Sequence, residues 1–108
     1  MNNMMEQKAL NLLGMATRAR KLVTGEEQVI TAIQNHKIHL VICSTECSEN
    51  TSKKLKNKCE HYHVPFAQVF DTFQISNAIG KHRSIVGVAD KGFAKSLLKM
   101  EGIKQTEE

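Results

Sequence analysis

No apolar run in this chain approaches the ~18 residues that a membrane-spanning helix needs. The opening residues Met1-Asn2-Asn3-Met4-Met5-Glu6 also lack the basic-then-apolar order of a secretory signal. A cytoplasmic protein with no membrane partner is expected. The three cysteines, Cys43, Cys47 and Cys59, are odd in number, and a reducing compartment would keep them as thiols. Internal repeats, low-complexity tracts and linkers are missing. So are the signatures of catalysis: there is no serine nucleophile elbow, no paired-carboxylate pattern and no glycine-rich cofactor loop. Gly25 stands alone where a phosphate-cradling loop needs several glycines, and no Gly-Lys-Ser/Thr follows it. These gaps argue against an enzyme and against a bound cofactor.

What is there suits one globular domain spanning residues 1–108, with 41% hydrophobic residues to build a core. The formal charge is +4 and the sequence pI is near 9.1. Placement says more than size. Lys8, Arg18, Arg20 and Lys21 face only Glu6 within the first 24 residues, whereas the acids gather at Glu26, Glu27, Glu46, Glu49 and the tail Glu101, Glu107 and Glu108. Scattered surface lysines are the commoner source of such a pI, but this segregation fits a polyanionic partner better.

Periodicity predicts nine elements in strict alternation. Met5, Ala9, Leu12, Leu13 and Ala16 mark one face of a helix running from Met5 to about Arg20. Leu22 and Val23 form a short strand ended by Thr24-Gly25. Thr24 precedes Glu27 by three residues, the spacing of a capping box, and Val29, Ala32 and Ile33 line the helix that follows, which stops near Asn35 or His36. Leu40-Val41-Ile42-Cys43 reads as a strand buried on both faces. Ser48 caps a third helix with Thr51, Leu55, Cys59 and Tyr62 on one side; Pro65 ends it and starts a strand from Phe66 to Phe70. Asp71 caps a short helix from about Thr72 to Ile79, closed at Gly80. Lys81-His82-Arg83-Ser84 is a basic loop, Ile85 to Ala89 the last strand, and Asp90 opens a final helix holding Phe93, Leu97, Leu98 and Met100. The eight residues from Glu101 are expected to fray. The alternation implies an α/β fold, a three-layer α/β/α sandwich on a sheet of about four strands.

Three sites are weighed. Cys43, Cys47, Cys59, His61 and His63 are soft ligands in one segment, spaced C-x3-C and C-x-H-x-H, near the usual zinc pairs but not equal to them. Strand and helix directions keep them apart, so buried thiols and surface histidines are expected instead of a metal site. Cys47 with a histidine could be imagined as nucleophile and base, yet nothing local beyond a helix start lowers its pKa. The third site is the stretch from Arg18 to Ile30. A helix start carries unpaired N–H groups and partial positive charge, and Arg18, Arg20 and Lys21 lie just upstream. Gly25, Glu26 and Glu27 are explained by a turn and by capping alone, but Glu27 and Gln28 also have the donors and acceptors to read exposed base edges.

The succession Leu12-Leu13-Gly14-Met15-Ala16-Thr17-Arg18-Ala19-Arg20-Lys21, then Thr24-Gly25-Glu26-Glu27, Ser44-Thr45-Glu46 and Ile79-Gly80-Lys81, resembles the "L-seven-Ae" superfamily of RNA-binding ribosomal proteins. Within it the likeness is to the small bacterial branch of YlxQ-type proteins, and it covers roughly Leu10 to Leu98. The resemblance implies a mixed sheet and binding of kink-turns, RNA bends built around tandem sheared G·A pairs. It places recognition at a glycine turn followed by Asn and Glu, with Lys one turn later. Gly25 keeps the glycine, Glu27 replaces Asn, Gln28 replaces Glu, and Thr31 replaces Lys. An acidic pair after the second strand corresponds to Glu46 and Cys47. A loop that is usually apolar corresponds to Lys81, His82, Arg83 and Ser84. The resemblance thus implies a non-catalytic RNA-binding protein with a retuned face made of Arg18, Arg20, Lys21, Thr24, Gly25, Glu27, Gln28, Thr31, Glu46, Lys81, His82 and Arg83. Its partner would be ribosomal or other kink-turn-like RNA, with the ribosome as one setting. Two other roles stay open at this stage: a protein-interaction module that kept the fold and lost RNA, or an RNA-binding accessory to a modifying enzyme.

Overall fold

The computed structural model describes residues 3–100, so the fraying expected beyond Glu101 lies outside the described residues. The predicted alternation is observed: α1 (Asn3–Arg18), β1 (Leu22–Thr24), α2 (Glu26–Gln34), β2 (Leu40–Cys43), α3 (Glu49–His61), β3 (Phe66–Gln68), α4 (Thr72–Ile79), β4 (Ile85–Val88) and α5 (Lys91–Leu98). The sheet runs β1-β4-β2-β3. β4 pairs antiparallel with both β1 and β2, and β2 pairs parallel with β3. No described helix is long and apolar enough to cross a membrane.

Strand alternation sorts the core into two halves. Leu40 and Ile42 of β2, Val86 and Val88 of β4 and Ala67 of β3 pack against Ala9 and Leu13 of α1, Ile75 and Ile79 of α4, and Ala94 and Leu97 of α5. Val41, Cys43, Phe66 and Ile85 point the other way, onto Val29 and Ile33 of α2 and Leu55 and Cys59 of α3. The layers are therefore three helices, the sheet, and two helices. Gly87 makes room on the second face, because a Cβ there would stand 2.9 Å from Ile38 Cδ1.

Several boundaries differ from expectation. α1 ends at Arg18, and the chain turns through Arg20 with φ of 58°. β3 stops at Gln68, because Phe70 takes a φ of 68° and turns the chain into α4. Met100 lies beyond α5 but still packs on the core. Ser48 and Asp71 cap their helices as predicted, accepting from Thr51 N and Gln74 N. The capping box, however, forms at Asp71 and Gln74 rather than at Thr24 and Glu27. α2 starts from Gly25 with no side-chain cap.

Candidate nucleic-acid interface

The sheet's polarity decides what meets at one end of the molecule. β4 runs against both β1 and β2, with Thr24 paired to Val86 and Cys43 to Ile85. The ends of β1, β2 and β3 therefore lie on the side where β4 begins. The starts of α2, α3 and α4 and the 80–84 loop share that edge, so three helix N-termini gather there; α3 and α4 are capped by side chains and α2 is not.

The turn into α2 takes a single residue. Gly25 N–H donates to Ile85 O at 3.1 Å, extending the strand ladder, while its carbonyl accepts from Val29 N at 3.0 Å, opening the helix. Doing both demands φ 94° and ψ 149°, a region essentially reserved for glycine. This explains why Thr24 is no cap: its successor still belongs to the ladder. The Gln28 side chain folds back over the turn, its Oε1 lying 2.7 Å from where a Gly25 Cβ would sit.

The two carboxylates at the tip divide their roles. Glu26 is half-buried and bridges to α3, accepting from Lys54 Nζ at 3.2 Å and Thr51 Oγ1 at 3.4 Å. Glu27 is exposed beside Gln28 and Thr31, and all three line an open groove of about 440 Å³ with Asn35 and Lys37. Lys37 escaped the sequence reading, since only the turn after α2, through His36 at φ 59°, brings it back to the groove. It supplies a cation beside Thr31.

Arg20, Thr24 and Lys81 meet in a cleft of about 220 Å³ with Thr17, Leu22 and Ile79. Lys81 and His82 also line a neighbouring shallow cavity of about 340 Å³ with Phe73, Ser76, Asn77 and Gly80. Arg18 lies apart from that cleft, in the groove between α1 and α4 that Met15 and Phe73 line. Lys21 stands at the start of β1, where its carbonyl accepts from Ala89 N, about 13 Å along the strand from Gly25. It does not line the cleft of Arg20. The basic cluster upstream of Gly25 is thus split three ways.

Hydrogen bonds hold the edge in place. Ser44 is buried, and its hydroxyl bonds Thr72 Oγ1 at 2.9 Å, which in turn bonds Ser84 Oγ at 3.1 Å. Ser44 Oγ also accepts from Glu46 N at 3.0 Å, and Ser44 N donates to Ser84 O at 2.8 Å. Glu46 Oε1 accepts from Thr72 N at 2.9 Å, so this predicted site residue serves as a cap on α4. The basic loop is tied down through Ser76, whose hydroxyl donates to Arg83 O and accepts from Arg83 N. Arg83 Nη1 donates to His82 O at 2.7 Å, holding the guanidinium beside the loop.

The thiols and histidines do not converge. Cys43 and Cys59 are buried and Cys47 half-buried, while His61 and His63 are exposed. Among the described residues no group of three or more His, Cys, Asp and Glu could hold a metal ion. Burial pushes the Cys59 thiol up to about 12. Burial, helped by a hydrogen bond with Cys47, raises Cys43 still further. Both are held as neutral core groups.

Comparison with known proteins agrees with this architecture. The chain is 47% identical over 95 residues to an Enterococcus faecium protein named RNA-binding protein YlxQ, covering 88% of this chain and 92% of that one. It is 43% identical over 90 residues to the Bacillus subtilis protein of the same name, covering 82% and 90%. A solved Bacillus halodurans protein of unknown function superposes with a TM-score of 0.83 at 47% identity, over 85% of this chain and 94% of that one. The Giardia lamblia 15.5kD RNA binding protein shares the fold alone, with a TM-score of 0.80 at 15% identity, over 95% and 92%. Residues 7–98 match the family described as ribosomal protein L7Ae/L30e/S12e/Gadd45, and the chain belongs to that family.

Proposed function

We propose that this protein binds structured, kink-turn-like RNA, without catalysis, along the edge where α2, α3, α4 and the 80–84 loop begin. The observation that carries this reading is the junction at Gly25. One residue ends the ladder and starts the helix, Gln28 folds over it, and Arg20, Thr24 and Lys81 share the adjoining cleft. Carbonyl and amide groups of Gln28 and the carboxylate of Glu27 are suited to base edges, and Arg20, Lys81 and Arg83 to phosphates. The family's lysine position holds Thr31 here, and Lys37 in the same groove offers a replacement charge. RNA-binding names among the relatives support the reading. Ribosomal RNA in the cytoplasm is the proposed setting.

The test is a comparison of affinity for a standard kink-turn RNA and an unbent duplex of equal length as salt is raised. Preference for the kink that survives physiological salt is expected. Lys81→Ala should flatten the salt slope by about 0.7–0.9, one phosphate contact. Gln28→Ala should alter the preferred RNA with little effect on that slope. Equal, salt-labile binding to both RNAs would sink the proposal.

A further inference from the structure

Phe73 breaks the pattern of its own helix. α4 buries Ile75 and Ile79, one turn apart, and Phe73 is out of phase with them, at 75% exposure. The other phenylalanines are buried or half-buried. The ring has a cation on each side: it lines the shallow cavity of Lys81 and His82 and the groove that holds Arg18. The cavity side contains no carboxylate, only Ser76, Asn77 and Gly80 besides. Lys81 belongs both to this cavity and to the cleft of Arg20 and Thr24, so the surface is continuous from the Gly25 turn to the phenyl ring.

We propose that Phe73, flanked by Asn77, Lys81 and His82, is a stacking platform for one unpaired nucleobase on a strand leaving the main RNA contact. The proposal rests on the RNA-binding reading and extends it. A flat apolar ring accepts the face of any base, and nearby cations hold the adjoining phosphate. The exposed amide of Asn77 can donate to and accept from a base edge. Charge selects a nucleic acid over an apolar protein segment on the loop side, where Lys81 is the cation and neither a carboxylate nor a further large apolar group lines the cavity. On the α1 side Arg18 is joined by Glu6, Leu10 and Met15, so the platform faces the loop.

The full chain is titrated with kink-turn RNA carrying unpaired adenosines at either end, the same RNA with abasic tails, and a short oligoadenylate. On at least one end the adenosine tail should bind about 5- to 150-fold tighter than the abasic tail, the range of one stacked base. Phe73→Ala should erase that gain and weaken oligoadenylate, while leaving tail-less RNA unchanged. Phe73→Tyr should keep both. Gln28→Ala should spare oligoadenylate. The inference is overturned if adenosine and abasic tails bind alike, if Phe73→Ala retains the gain, or if sedimentation without RNA shows Phe73 supporting self-association. Failure of the kink-turn preference with oligoadenylate binding still dependent on Phe73 would overturn the kink-turn reading alone.

Discussion

Replacing Gly25 by Ala isolates the backbone's part in the junction. At φ 94° and ψ 149° an L side chain is strained by about 1–3 kcal/mol. Loss of glycine's freedom in the unfolded chain returns about 0.4–1 kcal/mol. The net expectation is destabilisation by about 1–2 kcal/mol, or a Tm lower by about 4–16 °C for a domain of this size. The new Cβ would meet Gln28 Oε1 at 2.7 Å, but that atom ends a flexible side chain and can swing away at little cost. Urea denaturation followed by circular dichroism should therefore show Gly25→Ala and the double variant Gly25→Ala/Gln28→Ala losing similar stability. Gly80→Ala is the control: φ is 81° and ψ 16°, and nothing lies within 4 Å of its Cβ. Its left-handed strain of about 1–2 kcal/mol is largely offset by the same entropy term, so it should cost less. Rescue by Gln28→Ala would mean that crowding was the cost. A Gly25→Ala variant as stable as the parent would refute the geometry outright.

Asp71→Ala should cost about 1 kcal/mol in denaturation experiments, since the side chain accepts from Gln74 N at 2.7 Å; Asp71→Asn should retain most of the cap, and an unchanged Ala variant would contradict its role. Gly87→Ala should destabilise by about 1–3 kcal/mol through crowding against Ile38 Cδ1. Combined with Ile38→Val, which lacks that atom, it should cost less than the two singles summed, and additivity would reject the contact. Cys59 in the folded chain stays neutral up to about 12, whereas an unfolded thiol ionises near its ordinary 9.0. Its contribution is thus fully present below 9 and is lost as pH rises from there toward 12, by up to about 1.4 kcal/mol per unit. Cys59→Ala should remove that part of the alkaline slope, and an unchanged slope would show the thiol to be accessible.

The alternation of elements was legible because burial imposes it residue by residue. Leu40 to Cys43 reads as a doubly buried strand, and its successive side chains do enter opposite cores. Asp71, Ser48 and Gly80 act locally, within one helical turn, so spacing sufficed to find them. Strand order could not be read, since strands of three and four residues carry too little pattern to choose partners. The capping expectation at Thr24 failed for a long-range reason: Gly25 is claimed by Ile85, 60 residues away in the chain. Arg18, Arg20 and Lys21 are adjacent in sequence, yet the end of α1 and the turn at Arg20 send them to separate places. Lys37 reaches the groove only because the chain reverses after α2. Phe73 did carry a signal, an apolar residue off the phase of Ile75 and Ile79, and phase rather than composition was the feature to read.

The chain of hydroxyls from Ser44 through Thr72 to Ser84 bears on how the protein meets its ligand. It binds the loop after β2, the start of α4 and the entry to β4 into one unit, and Ser76 adds the basic loop to it. An edge already fixed in this way has little order left to gain on association, so the entropic cost of fitting shifts to the flexible partner. The protein then acts as a rigid mould. If the proposed kink-turn-like RNA is the ligand, association should be paced by how often that RNA visits its bent form, and ions that favour the bend should quicken capture without touching the protein.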